Sequence, residues 1–250
     1  MKIVRFILDD LIHYGVVEGT QINVAEGNPF QGMKVTSAKV SLSEVKLLPP
    51  CMPSKALCIG LNYRDHAEEF GFPIPASPVV FIKPPSSVLS PFGLIDYPSL
   101  SARVDFEAEL VVVIGKKARH IEVENASDYI LGYTCGNDVT ARDLQPKDGQ
   151  WTVAKSFDTF LPLGPWIETE LDPSDLRVTA TLNGELKQSS STRNLIFDVP
   201  HLLSYLSSIM TLEPGDIIMT GTPSGVGPMK SGDRIVVEIK GIGSLENTVR

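Results

Sequence analysis

The run Val104-Asp105-Phe106-Glu107-Ala108-Glu109-Leu110-Val111-Val112-Val113 decides how this chain is read. Acidic and apolar side chains alternate through its first half, and its second half is apolar and mostly β-branched. A period of two predicts a strand. Asp105, Glu107 and Glu109 then face one side, and Phe106, Ala108 and Leu110 the other. Three carboxylates that close repel one another unless a cation lies between them, and an all-oxygen set suits a hard divalent ion such as magnesium. The same pattern would also serve a solvated polar face over a buried apolar back.

Strand signals continue in both directions from this run. Ala56–Gly60, Val79–Lys83, Gly132–Val139, Arg177–Asn183, Ile217–Thr220 and Arg234–Ile239 are short apolar stretches bounded by turn residues. Leu182-Asn183-Gly184-Glu185 predicts a hairpin, since Asn-Gly accepts the positive φ angles of a two-residue turn. Helix signals are few. Tyr63–Phe70 is short, while Asp198–Met210 is the strongest, with Asp198 as N-cap, Pro200 in the first turn and Leu202, Leu203, Leu206 and Ile209 along one stripe. With 19 prolines and 20 glycines among many short strands, the expected class is mainly β (α+β) with a few short helices. Upstream, Lys2–Leu8, Tyr14–Val17 and Gln21–Ala25 read as strands, followed by a connection around Gly27–Gly32. Pro49-Pro50 stops regular structure and divides a small β-rich N-terminal domain, 1–48, from a larger domain, 49–250.

Apolar content of 42% and charged content of 21% fit a soluble protein, and 250 residues suffice for one substantial core with a small appendage. A formal charge of −8 argues against nucleic acid and anionic membranes as partners. No apolar stretch approaches the roughly 20 residues of a membrane span. The first apolar run is short and closed by Asp9-Asp10, so no signal peptide is expected and the location is cytoplasmic. Cys51, Cys58 and Cys135 stand at unrelated spacings, which suggests neither a zinc site nor a disulfide framework.

Four further segments could carry chemistry. In Gly60-Leu61-Asn62-Tyr63-Arg64-Asp65-His66-Ala67-Glu68-Glu69-Phe70-Gly71, a helix would set His66 and Glu69 on one face, where a carboxylate raises the basicity of an imidazole. The glycines at both ends would let the segment hinge as a lid, although an exposed helix with a solubilising histidine has the same pattern. In Gly136-Asn137-Asp138-Val139-Thr140-Ala141-Arg142-Asp143-Leu144-Gln145, Asp138 stands where a strand gives way. A helical turn there would bring Asp138, Arg142 and Gln145 to one pocket, or merely form an Asp–Arg ion pair. Lys155 is isolated among apolar and aromatic residues of Trp151–Trp166, as a snorkelling stem or as a buried cation. The glycine-rich Met219–Gly227 lacks the lysine of a phosphate loop and fits a tight connection or a small-molecule wall, with Thr222 beside the ligand.

Taken together and in this order, Gly60-Leu61-Asn62-Tyr63 with Asp65-His66 and Glu69, Phe81-Ile82-Lys83-Pro84, Asp105-Phe106-Glu107-Ala108-Glu109, Gly136 to Asp143, Lys155-Ser156-Phe157-Asp158 and Thr220-Gly221-Thr222-Pro223 resemble the fumarylacetoacetate hydrolase family. The first 48 residues resemble the small N-terminal domain that many bacterial and archaeal members add. The resemblance implies a rolled mixed β-sheet, usually in a homodimer, and an Mg2+ (or Mn2+) ion held by Glu107, Glu109 and Asp138, with Asp105 behind them. It implies that His66 and Glu69 form the lid dyad. Arg142, Gln145 and Lys155 then hold substrate or a developing oxyanion, and Lys83 and Thr222 line the pocket. The implied substrate is a small oxo acid, and the implied reaction is C–C hydrolysis of an acylpyruvate-type compound. Alternatives within the family are an isomerase or decarboxylase on 2-hydroxy-diene dicarboxylates from aromatic breakdown or on β-keto acids such as oxaloacetate. A non-catalytic metal-containing ligand-binding protein is the remaining alternative.

Overall fold

A computed structural model of the chain describes residues 1–65, 74–146 and 149–250. The class is mainly β with few helices, as expected. Among the described residues three sheets carry the fold. The largest runs from Gly32–Ser41 through Gln21–Asn28, Leu11–Glu18 and Lys2–Leu8 to Leu161–Glu168. It continues through Ile130–Asn137, Ala108–Ile114, Ile217–Met219 and Ala56–Gly60 to an edge at Val79–Lys83. Its pairings are antiparallel except Ile217–Met219 with Ala56–Gly60 and Leu161–Glu168 with Val88–Leu89, so the sheet is mixed. A second sheet holds Glu185–Ser191, Arg177–Leu182, Arg234–Ile239, Gly243–Val249 and Leu94–Ile95, and a small third one holds Thr140–Ala141, Val104–Phe106 and Gly227–Met229.

The N-terminal strands form an antiparallel meander. Lys2 and Ile3 pair with Glu168 and Ile167, so residues before the double proline extend the sheet that carries the acidic strand. The central Ala108–Ile114 strand is buried on both faces. Leu110, Val112 and Ile114 pack in the larger core cluster, and Val111 and Val113 in another with Ile3, Ile217 and Met219. Val199–Ile209 is the longest described helix. Asp198 caps it by accepting from the His201 N–H at 3.0 Å, and its Leu202, Leu203 and Leu206 enter the larger cluster. No helix among the described residues is long and apolar enough to cross a membrane.

Several strands escape the sequence reading, Gly243–Val249 among them, and for two others the reason is identifiable. Leu161–Glu168 is central, yet it contains Pro162, Gly164 and Pro165, which read as breakers. Its ladder to Ile130–Asn137 slips between Tyr133 and Cys135, and that irregular stretch accommodates Pro165. Gly32–Ser41 is an exposed edge strand with little apolar patterning. The three cysteines are free and buried.

Candidate active site

The acidic run lies where two sheets meet. Val104–Phe106 belongs to the small sheet and Ala108–Ile114 to the large one, so the expected continuous strand is interrupted at Glu107. There the Glu107 N–H donates to the Asn137 side-chain oxygen at 2.9 Å, and its carbonyl accepts from the Asp138 N–H at 2.9 Å. Antiparallel register sets Ala108 opposite Asn137 and Glu109 opposite Gly136. Asp138, the first residue past that strand, therefore arrives beside Glu107.

Carboxylate oxygens of Glu107, Glu109 and Asp138 lie within 4.8 Å of one another, and all three side chains are buried. The solvated-face reading of the acidic run is excluded, because Asp105, at 0% exposure, is buried as well. Asp105 stands outside the trio and is tied to it through Arg142. The Arg142 guanidinium donates to Asp105 Oδ2 at 2.9 Å and to Glu107 Oε1, and Arg103 closes the other side of Asp105 at 2.9 and 3.1 Å.

Lys155 ends a short helix, Thr152–Lys155, and is 2% exposed, so the snorkelling alternative fails. Its Nζ donates to Glu107 Oε2 at 2.9 Å and Asp138 Oδ2 at 2.6 Å, with the Phe81 ring 5.1 Å away. Burial opposes its charge, but Asp138 and Glu107 outweigh burial and raise its pKa, so Lys155 stays an ammonium. Burial likewise opposes ionisation of Glu107, yet Lys155 and Arg142 hold that carboxyl well below the usual range. Glu109 goes the other way. Burial first, then the charges of Asp138 and Glu107, push its pKa well above the usual range, and the Gly221 N–H only partly offsets them.

The glycine-rich loop closes the site from the far side. Thr220 donates from both its N–H and its hydroxyl to the Leu110 carbonyl, and the Gly221 N–H reaches Glu109 Oε2 at 2.7 Å. Gly221 has φ +100, and a Cβ there would come within 2.8 Å of Asn62 Cβ, so no other residue fits without displacement. Asn62 is fastened beneath, its amide donating to the Thr220 and Phe197 carbonyls. Thr222 accepts from Gln188 at 2.8 Å.

Other sequence expectations change in detail. The chain after Asp138 is not helical: Thr140–Ala141 is a strand and Arg142–Leu144 a 3-10 turn, so Arg142 pairs with Asp105 and Glu107 and not with Asp138. Arg142 and Gln145 do meet, the guanidinium donating to the amide oxygen at 2.7 Å. Lys83 does not line an open pocket. It is wholly buried and donates to Asp138 Oδ1 at 2.6 Å and the Val139 carbonyl at 3.0 Å. His66 and Glu69, and the expected helix beyond Asp65, lie outside the described residues. Asn137 and Gln188 brace the trio without having been singled out. Asn137 lay inside a quoted motif, whereas Gln188 sits on a strand with no local signal of chemistry.

Comparison with known proteins settles the family. Residues 55–250 match the family profile described as Fumarylacetoacetate (FAA) hydrolase C-terminal, and residues 1–50 match one described as Rv2993c-like, N-terminal. The chain belongs to the fumarylacetoacetate hydrolase family. Among relatives in that family, the mitochondrial oxaloacetate tautomerase Fahd2a of Rattus norvegicus is 42% identical over 81% of this chain and 68% of its own. The crystal structure of 2-hydroxyhepta-2,4-diene-1,7-dioate isomerase from Mycobacterium marinum matches with a TM-score of 0.93 and 41% identity, covering 100% of this chain and 98% of that one. Fumarylpyruvate hydrolase from Pseudomonas aeruginosa, in complex with Mn2+ and pyruvate, matches with a TM-score of 0.75 and 35% identity over 82% of this chain and 91% of that one. The family thus includes isomerase, tautomerase and hydrolase activities, and this chain is an enzyme of that family.

The residues present fit a divalent ion. Lys155 and Arg142 answer Glu107, and Lys155 and Lys83 answer Asp138, but no cationic side chain pairs with Glu109 among the described residues. A carboxylate at 1% exposure with one backbone donor and two anionic neighbours is costly unless it is protonated or shares a cation. Three close carboxylates are the oxygen set that Mg2+ or Mn2+ takes.

Proposed function

We propose that this protein is a divalent-ion-dependent enzyme acting on 2-oxo carboxylates or their 2-hydroxy-enol forms, and that it hydrolyses a C–C bond of an acylpyruvate-type substrate. One observation carries the reading: a buried carboxylate trio, in which Glu109 has no cationic partner among the described residues, sits beside a fixed ammonium. Glu107, Glu109 and Asp138 would hold the ion. When bound, it would supply Lewis acidity that stabilises negative charge developing on the substrate's 2-oxygen.

The chain's own groups do the rest. Lys155, kept protonated by its neighbours, is a donor and a fixed positive charge, not a base. Arg142 and Gln145 add a guanidinium and an amide whose mutual orientation is set by their hydrogen bond. His66, with Glu69 behind it, is assigned by sequence as the base. It takes a proton from water, and the water oxygen adds to the distal carbonyl carbon. The bond from that carbon to pyruvyl C3 breaks, and its electron pair passes into pyruvate enolate. The proton returns at C3, leaving a carboxylic acid and pyruvate.

A second reading, isomerisation or tautomerisation at the same enolate, has specific support: likeness to the named isomerase spans the whole chain, and likeness to the named hydrolase spans 82% of it. Decarboxylation of a β-keto acid would use the same stabilised charge. The test is a panel of acylpyruvates, a 2-hydroxy-diene dicarboxylate and oxaloacetate, given to chelator-stripped and Mn2+-reloaded protein. Pyruvate released with an equimolar carboxylic acid, only after reloading, supports hydrolysis. A change in enol absorbance without pyruvate supports isomerisation, and CO2 marks decarboxylation. Undiminished turnover after stripping would remove the ion from the reading.

A further inference from the structure

Strand Glu185–Ser191 belongs to the second sheet and carries none of the family motifs, yet it touches the site at two alternating positions. Gln188 is fully buried. Its Oε1 accepts at 2.9 Å from the N–H of Ala108, the residue between Glu107 and Glu109. Its Nε2 donates to Thr222 Oγ1 and to the Pro223 carbonyl, each at 2.8 Å. Two residues on, and hence on the same face, Ser190 donates from its hydroxyl to Asp65 at 2.6 Å, next to His66 in the chain.

The orientation of the Gln188 amide is fixed by its partners. The Ala108 N–H can only donate and the Pro223 carbonyl can only accept, so oxygen must face the first and nitrogen the second. Ala108 begins its strand where the acidic run changes sheets, and there a side chain supplies the acceptor. At Thr222 the incoming Nε2 donor occupies a lone pair of the hydroxyl, which leaves the hydroxyl hydrogen to be given elsewhere. One neutral side chain therefore spans the metal-bearing strand and the glycine-rich loop.

We propose that Gln188 is a positioning residue for this site, resting on the functional reading above. It sets the spacing between the Glu107–Glu109 segment and the Thr220–Gly227 loop, which governs divalent-ion affinity, and it turns Thr222 into a hydrogen-bond donor toward bound substrate.

The test is Mn2+ titration by calorimetry of the full chain, wild type against Gln188→Met, which keeps length and loses both hydrogen-bonding ends. The expected result is Mn2+ affinity weaker by about 10–100-fold, the usual effect of removing a group that orients metal ligands. A purely structural glutamine would lower the thermal midpoint and leave the Mn2+ affinity unchanged, and that result overturns the proposal. Should Gln188→Met not fold, Gln188→Asn, too short to hold both ends, carries the same expectation and the same refutation. Thr222→Val should raise KM with Mn2+ affinity intact and add nothing to the KM of Gln188→Met; additive KM effects would overturn the Thr222 part. Absence of Mn2+ binding by wild type would sink the functional reading itself, whereas equally tight binding by wild type and variant sinks only the positioning role.

Discussion

The N-terminal meander and the carboxylate site are stabilised by opposite means. In the meander, Val4, Phe6, Val17, Ile22 and Leu47 form a local apolar cluster, while Leu11 and Ile12 at the hairpin end stay exposed. Most of its contacts join neighbouring strands of the meander, with Leu47 and Trp166 added from farther along the chain, and any one of them could be replaced by another apolar contact of similar size. In the site, four acids and two lysines are buried together, and among the described residues every acid but Glu109 pairs with a cation from a distant segment. There identity matters more than volume, because removing one charge strands another. The meander tolerates change in proportion to area lost; the site should respond to single atoms.

The largest effect should therefore come from Lys155→Met, which keeps the stem and removes the charge. Glu107 and Asp138 each lose a partner at once. Breaking a buried pair typically costs about 3–5 kcal/mol, so the ion-free protein should show a clearly lowered thermal midpoint, partly restored by excess Mn2+. Turnover should fall by about 10²–10³-fold, the usual cost of losing one charge-stabilising donor. Unchanged turnover would mean that Lys155 only neutralises its neighbours, and the site would then resemble the meander in being structural.

A smaller effect is expected from pH, and its sign follows from Glu109. Its folded pKa is raised by burial and by Asp138 and Glu107, so between the usual carboxylate value and the raised one the ion-free protein holds a proton there. Its contribution to ion-free stability is present at low pH and is lost as pH rises through the folded value. An ion must displace that proton, so Mn2+ affinity should rise with pH through the same window and then level off. Calorimetry in two buffers of different ionisation enthalpy would register the released proton. Affinity independent of pH, with no proton released, would show that Glu109 is already charged and that the trio is balanced without an ion.

The same contrast governs what could be read from the chain. Alternation in Val104–Val113 singled out Glu107 and Glu109, along with Asp105, because period and composition are local properties, whereas Asp138 joined them only through the family resemblance. The Asp198-capped helix and the Asn183-Gly184 hairpin were legible for the same reason. Lys83 was harder: nothing in Phe81-Ile82-Lys83-Pro84 tells that its ammonium turns inward to Asp138, since that depends on where the edge strand packs. The helical turn that would set Arg142 beside Asp138 does not form, because Thr140 and Ala141 are captured by the acidic strand through pairing with Val104 and Asp105. Gln188 was illegible, since its partners lie 80 and 34 residues away and its own strand looks like ordinary polar surface.

The smallest effect on the site should follow a change that is not small for the meander. Ile22 is wholly buried in the N-terminal cluster, and Ile22→Ala should cost about 2–5 kcal/mol of stability by creating a cavity. The meander joins the rest of the main sheet through the short pairing of Lys2 and Ile3 with Glu168 and Ile167. Asn137, Lys155 and Gly221, which hydrogen-bond the trio, are not members of that apolar cluster, so little of the loss should be transmitted. Mn2+ affinity and turnover below the unfolding range should stay within about twofold of wild type, as expected for sites without shared partners. If both fell together with the thermal midpoint, the local cluster and the distributed charge network would be one cooperative unit, and the contrast drawn between them would fail.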